Sequence, residues 1–327
     1  MTKIFLICAA MSATLSPAFA KCDSGEKVIR FGMAISNDSP IRQRAALRLK
    51  QTIDKELQGK ICLQILRDDS LYADELSVTA VQAGNLELAA PRLSALGKQF
   101  SDFQIYGLPF AFRNVSSVEK FYTLSDASFK KSLTNSNLTQ LGLWQGTFGQ
   151  IAAKRPVYYP SDVAGMKFRF DNALARAALP GRLKVTASAV SENDLSIAIK
   201  NGRVDAQFTH WTQLNDDKSG PLLNGVTQMN LDFEGYQLLA SQSWWTGLEH
   251  TVSKQLSELI SRTTRQLNFE TQQKATSAKR ALMRASIPVR ILTRKQTDEW
   301  REVTKPIWED FENEALKRLL DEANLGL

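Results

Sequence analysis

The sequence predicts an α/β protein of two βαβ-type lobes around a cleft, braced by a long C-terminal helix. Three observations carry that prediction. Apolar periods of two and of 3.6 residues alternate in the order β-α-β-α-β, and they do so twice. A proline-free helical pattern of about thirty residues follows, roughly 45 Å of helix. Of the 327 residues, about 307 (327 minus 20) remain without the first segment, beyond the ~250–300 at which a single core stops growing.

The first segment is not part of that fold. In "MTKIFLICAAMSATLSPAFA" one charge, Lys3, precedes an apolar run from Ile4 to Met11, and the stretch closes on Ala18-Phe19-Ala20. This is the pattern of a cleaved secretory signal peptide, residues 1–20. Cys22 is not preceded by a lipobox, and no later stretch approaches the ~18 continuous apolar residues of a spanning helix. The mature chain is expected to begin near Lys21 as a soluble exported protein.

The first βαβαβ unit opens with the strand "KVIRFGMAI". A helix follows in "IRQRAALRLKQTIDKEL", with Ile41, Ala45, Leu49, Ile53 and Leu57 at helical spacing and Gly59 as its stop. "KICLQIL" is a strand, "ADELSVTAVQAGN" a short helix ending at Gly84, and "LELAAP" a third strand. In the second unit "LGLWQGTFGQIAA" is extended, "MKFRF" and "LKVTAS" are strands around the helix "NALARAAL", and "VDAQF" closes it. The helix in "SENDLSIAIKNG" takes Ser191 as N-cap with Asp194 at the capping-box position. The long helix runs from "SKQLSELI" to about Arg284, stopped by Ser286-Ile287-Pro288; a strand "VRIL" and a helical tail follow. Pro306 is expected to break or kink that tail.

Charge and cysteines narrow the chemistry. The formal charge of +7 falls to +6 without Lys3. Lys and Arg are evenly spread and no basic run is interleaved with aromatics, so nucleic acid is not an expected partner. With Cys8 in the signal segment, Cys22 and Cys62 remain, and an oxidising compartment suggests one structural disulfide. There is no CxxC, and the two histidines, His210 and His250, lack metal-ligand spacing, so neither metal nor cofactor is expected. GxSxG, HExxH, the P-loop and GxGxxG are all missing, which argues against an enzyme.

Open α/β sheets bind ligands beyond the carboxyl ends of their strands. Those ends are Ile35 to Asp38, which includes Asn37; Arg67 to Asp69; Pro91 and Arg92; Arg169 to Asn172; Ser188 to Ser191; and Phe208 to Trp211. If the two sheets face one another, Arg92 and Arg169 converge from opposite lobes, and two guanidiniums at one cavity favour an acid. Arg169 stands out because Met166, Phe168 and Phe170 make its strand apolar, and a buried guanidinium needs an anion. Its other reading is a salt bridge to Asp171, Asp194 or Asp205; for Arg92 it is a solvated loop charge. Asp74, at the start of its helix, and His210 beside Trp211 complete the candidate lining, the latter pair at the cavity mouth. Trp244 and Trp245 read as core in preference to an aromatic cage.

"PSDVAGMKFRF", a helix, and then "SENDLSIAIKNGRVDAQ" resemble the central signature of the substrate-binding proteins of TRAP (tripartite ATP-independent periplasmic) transporters, P-x-D-L-K-G-x-K-I-R-V-P followed by E-V-Y-x-A-L-Q-x-G-x-V-D-G-x-E-N. "FGMAISNDSP", "LQGKICLQI", "AVQAGNLELAA", "LPFAFRN" and "SQSWWTGL" fit in the same order, so the resemblance covers nearly the whole mature chain. It implies a periplasmic binding protein-like fold whose lobes close on an organic acid, with Arg169 pairing the ligand carboxylate and Arg92 at a pocket position. It also implies a periplasmic location and a membrane permease partner, met peripherally and transiently. The departures are Thr209 where a ligand-contacting Asn is common, Asp194 with Ser196 in place of E-V-Y, and Phe148 where some acid binders carry a second arginine. Arg92, on the other lobe, is a candidate replacement for that charge.

The expected division is lobe I, 21–145 plus about 234–273, and lobe II, 146–233 plus about 274–327. The expected function is capture of a small organic anion for a TRAP permease. Its rivals are service to an ATP-driven importer, presentation of ligand to a sensor kinase, and an exported α/β enzyme.

Overall fold

The computed structural model describes residues 22–34, 40–170, 173–191, 193–216 and 219–325. The signal segment lies outside them. Among the described residues no helix is long and apolar enough to cross a membrane.

Strand β1 (Lys27–Met33) buries Ile29, Phe31 and Met33 against helix α1 (Pro40–Glu56), whose Ala45, Ala46, Leu49 and Ile53 form the matching stripe. Gly59, at φ +76°, takes the left-handed conformation that releases the chain from α1 into β2 (Ile61–Arg67). β2 runs parallel to β1 in the register Lys27↔Ile61. The disulfide Cys22–Cys62, with Cα atoms 5.5 Å apart, staples the start of the described chain to β2. It closes a separation of 40 residues. Removing it by Cys62→Ser should cost up to about 4 kcal/mol in the chain-entropy description, read as a lower urea midpoint that reductant no longer changes.

After α2 (Asp69–Tyr72) and α3 (Asp74–Gln82) comes β3, only Leu88–Ala89 where a longer strand was expected. α4 (Leu93–Gln99), α5 (Val115–Leu124) and α6 (Asp126–Thr134) carry the chain to β4, Leu138–Ala153. The second unit holds β5 (Lys167–Arg169), α7 (Ala173–Leu183), β6 (Thr186–Ala187), α8 (Leu195–Lys200), β7 (Ala206–His210), α9 (Trp211–Asp216) and β8 (Val226–Gln228). The chain then crosses back through β9 (Phe233–Ser241) and α10 (Gln242–Thr246) into α11 (His250–Arg284), and ends in β10 (Val289–Ile291), α12 (Arg294–Glu309) and α13 (Glu314–Asn324).

The strands run β2-β1-β3-β9-β4-β7-β5-β6, with β8 and β10 branching from β4. The βαβ pairs are parallel, as their helical crossovers require. β4 and β9 are antiparallel to each other and to their neighbours. They join the two parallel sheets, which the alternation of periods had suggested were separate. β4 pairs β9 as far as Phe148 and β7 from Gly149 onward, with irregular register between Gln145 and Phe148. A Cβ on Gly146 would stand 2.4 Å from the Glu234 carbonyl oxygen, so only glycine fits this close crossing.

The long helix is 35 residues. Its first half buries Leu256, Leu259, Ile260 and Leu267 in the core of β1, α1 and Trp144, and its second half buries Ala275, Ala278 and Leu282 against α8 and α9. Between them the helix grips β4 by hydrogen bonds. Asn268 donates to the Leu143 carbonyl and accepts from the Gln145 N–H, and Gln272 donates to the Gly146 carbonyl.

Pro306 does not end the tail helix: α12 continues to Glu309. Its apolar face, Trp300 and Ile307, is buried in the aromatic core on both sides of the proline, and that burial offsets the lost backbone bond. α13 lies against α5, with Lys120 donating to the Glu322 carbonyl and Asn324 to that of Ala111.

Candidate functional site

Two groups of polar side chains flank the crossing strands, one on the strands next to β4 and one around Glu234 of β9. The first lies on β5 and β7. Phe168 and Phe170 point into an aromatic cluster with Phe208, ring centroids 4.7 to 5.4 Å apart, so Arg169 projects to the opposite side of the strand. It pairs in register with Gln207, is partly exposed, and donates from Nε to the Val190 carbonyl at 3.0 Å. Gln207 is fully buried; its Nε2 donates to Ser219, while its Oε1 has no hydrogen-bond partner among the described residues. Thr209, two residues along the same face, is also fully buried, with Oγ1 3.5 Å from Gln213 Oε1.

The second group is a charge cluster. Arg42 projects from the first turn of α1, is 3 % exposed, pairs with Asp74 at the start of α3, and donates to the Ala90 carbonyl. The Arg92 backbone bridges that of Tyr236, and its Nε lies 3.7 Å from Asp74 Oδ2 and 3.6 Å from Glu234 Oε1. His210, at the end of β7, sets Nδ1 3.4 Å from Glu234 Oε2. The Tyr236 hydroxyl reaches Glu234 Oε1 at 3.5 Å, and its ring lies 5.3 Å beneath the Arg42 guanidinium.

Glu234 feels opposing forces. Burial pushes its carboxyl up; His210, Arg92 and Arg42, with the Tyr236 hydroxyl, more than offset this and hold it below the usual carboxylate range. A carboxyl lowered on folding contributes stability that is full above its unfolded value and lost as pH falls through its folded value. Urea midpoints should therefore fall on acidification below the ordinary carboxylate range. Glu234→Gln should be less stable than wild type at pH 7 and lose less between pH 7 and 3.

The sequence-predicted residues fall into distinct places. Arg92, Asp74 and His210 share the charge cluster, and Arg169 and Thr209 share the β5–β7 face. Phe148 is 7 % exposed and packs on Phe233, ring centroids 5.4 Å apart. Trp211 is equally buried against α11, with Lys279 5.7 Å over its ring. Asp194 is exposed; its carboxylate accepts from the Ser191 hydroxyl, so the expected capping pair forms, although α8 begins only at Leu195. Of the aspartates considered as partners for Arg169, Asp205 takes Lys154 at 3.5 Å. Asn37 and Asn172, with Asp171, lie outside the described residues.

Arg42 and Glu234 were not singled out from the sequence. A signal existed for Arg42: it stands three residues before Ala45 on the buried stripe of α1. For Glu234 there was none, because a lone acid in a strand does not name its partners.

A family profile, Bacterial extracellular solute-binding protein, family 7 (DctP), matches residues 31–314. The chain is 29 % identical over 320 residues to the C4-dicarboxylate-binding periplasmic protein DctP of Vibrio cholerae, covering 97 % of this chain and 96 % of that one. A TRAP periplasmic solute-binding protein from Pseudomonas aeruginosa PAO1 with bound L-malate superposes with a TM-score of 0.72 at 23 % identity, over 87 % of this chain and 99 % of the other. DctP6 of Bordetella pertussis, an extracytoplasmic solute receptor binding pyroglutamic acid, gives a TM-score of 0.79 at 17 % identity, over 91 % and 99 %. These folds and relatives are solute receptors, not enzymes. With the profile running through both βαβ units and the crossing strands, the chain belongs to the DctP family of bacterial extracellular solute-binding proteins, family 7, the substrate receptors of TRAP transporters.

Proposed function

We propose that this protein is a periplasmic receptor that captures a small organic acid between two lobes and delivers it to a TRAP membrane permease. The observation that carries this reading is Arg169, an arginine at the carboxyl end of a β-strand with buried Gln207 and Thr209 beside it, in a chain of a solute-binding family. A planar guanidinium with polar neighbours suits a carboxylate. The Vibrio relative is named for C4-dicarboxylates, and the two solved structures hold L-malate and pyroglutamic acid; all are carboxylic acids.

The lobes are 21–145 plus about 234–273 and 146–233 plus about 274–327. Three features favour this division: the change of β4 from β9 to β7 at Phe148/Gly149, the irregular register just before it, and the change of core along α11 between Leu267 and Ala275. Ligand contacts from both lobes favour the closed state by hinge motion, to the extent that the ligand binds that state more tightly. Export by the 1–20 segment places the receptor where a permease meets it transiently at the membrane surface.

A thermal-shift screen of organic acids, sugars and amines tests the reading. An acid present at ~100 times its dissociation constant adds about 2.7 kcal/mol of apparent stability. Shifts confined to sugars or amines would reject it, and mass spectrometry of ligand carried through purification gives an independent answer.

A further inference from the structure

The C-terminal tail, placed by sequence order with the second lobe, is held by both lobes. α12 packs on α7 and on the short turn Pro160–Val163 of that lobe. There Trp300, fully buried, donates from Nε1 to the Tyr158 carbonyl at 3.0 Å. Two turns further on, the partners change. Trp308 donates from Nε1 to the Pro109 carbonyl at 2.8 Å, and Asn313 donates to Asp102 at 2.7 Å. α13 then lies on α5, where Lys120 donates to the Glu322 carbonyl and Asn324 donates to the Ala111 carbonyl. These later partners all belong to the first lobe. Arg301 touches that lobe earlier, 5.7 Å over the Phe110 ring, but through a long, largely exposed side chain that can follow a small rotation.

The change of lobe falls on the stretch of α12 that bends most easily. Pro306 has no N–H, so the Glu302 carbonyl lacks its helical donor, and a proline inside a helix is a common site of kinking. Thr304, 1 % exposed, turns its hydroxyl back on the Trp300 and Arg301 carbonyls, both at 3.1 Å, a contact that also bends helices. Both residues stand between the two tryptophan anchors. A straight, fully bonded helix tied to both lobes would resist any change in their angle; one that bends between its anchors does not. The crossing strands carry a comparable weak point in the irregular register beside Gly146.

We propose that the tail is a third hinge: α13 rides with the first lobe, the start of α12 with the second, and Pro306 with Thr304 is the point that bends when the lobes close. This rests on the organic-acid reading above, which supplies the ligand that drives closure.

Spin labels on Lys131→Cys in α6, Arg182→Cys in α7, Lys295→Cys in α12 and Asp321→Cys in α13, all exposed positions, test this in pairs. The added acids are succinate, L-malate, pyroglutamate and D-glucuronate. An acid that closes the lobes should change the Lys131–Arg182 distance. Asp321–Arg182 should change with it, while Asp321–Lys131 and Lys295–Arg182 stay constant. Pro306→Ala restores the backbone bond and should cut the change in Asp321–Arg182 at least about twofold without lowering the urea midpoint. An undiminished change in that variant overturns Pro306 as the bending point. Asp321–Arg182 staying fixed while Lys131–Arg182 changes, or calorimetric binding with no change in any pair, overturns the third hinge and leaves the organic-acid reading standing. Failure of all four acids to bind the folded protein overturns that reading and the hinge with it. The labelled chain with Pro306 in place decides the matter even where Pro306→Ala does not fold.

Discussion

Arg169→Ala is expected to weaken binding of the natural acid by roughly 2–5 kcal/mol, the usual cost of truncating one partner of a buried charge pair. In dissociation constant this is about 30-fold to several thousand-fold. The side chain projects from a strand whose neighbours Phe168 and Phe170 are buried, and its backbone partner Gln207 belongs to β7. Losing the guanidinium removes a planar double donor that water does not replace once the lobes have closed. Arg169→Lys keeps the charge without the fork and should recover only part of the loss. Isothermal calorimetry gives the affinities, and a thermal melt of the free protein shows that the variant is folded. Near-wild-type affinity for Arg169→Ala would take this residue out of the site.

The second large effect concerns stability. Arg42→Ala leaves the Asp74 carboxylate, 18 % exposed at its side chain, without its closest cation, and also abandons the Ala90 carbonyl. Breaking a buried pair by removing one partner costs about 3–5 kcal/mol because the other charge stays buried. Arg92, with Nε 3.7 Å from Asp74, compensates in part, which places the expectation at the lower end of that range. The check is urea denaturation of Arg42→Ala against the double replacement Arg42→Met with Asp74→Leu. The double variant should recover most of the loss, since a removed pair costs less than a broken one. Equal loss in both would mean that the Arg42 stem, not its charge, supplies the stability.

Much of the fold can be read along the chain. The helical stripe of α1, its stop at Gly59, the parallel order of β1 and β2, and the length and endpoint of α11 all follow from periodicity and punctuation, which are local properties. The crossing strands do not follow. β4 and β9 are buried along most of their length, and a run without alternation names neither a direction nor a partner. β3 shrank to two residues for a related reason: how far a strand extends depends on the neighbour that receives its hydrogen bonds, here β9. Pro306 shows tertiary burial outweighing a local rule.

At the site the division is the same. An arginine in an apolar strand at a strand end is visible in sequence, but the expected burial of its charge does not occur: strand alternation turns Arg169 away from Phe168 and Phe170 and leaves it partly exposed. The cysteines are also visible in sequence, and their spacing and compartment suggest a bridge. What only the tertiary structure decided is how the charges pair. Residues 42, 74, 92, 210 and 234 come from five segments and meet only through sheet register and the packing of α1 and α3. Ionic interaction depends on distance through space and on local burial. Neither quantity is written in the order of residues, so Arg92 reads in sequence as either a ligand cation or a solvated loop charge and stands in the fold between two carboxylates.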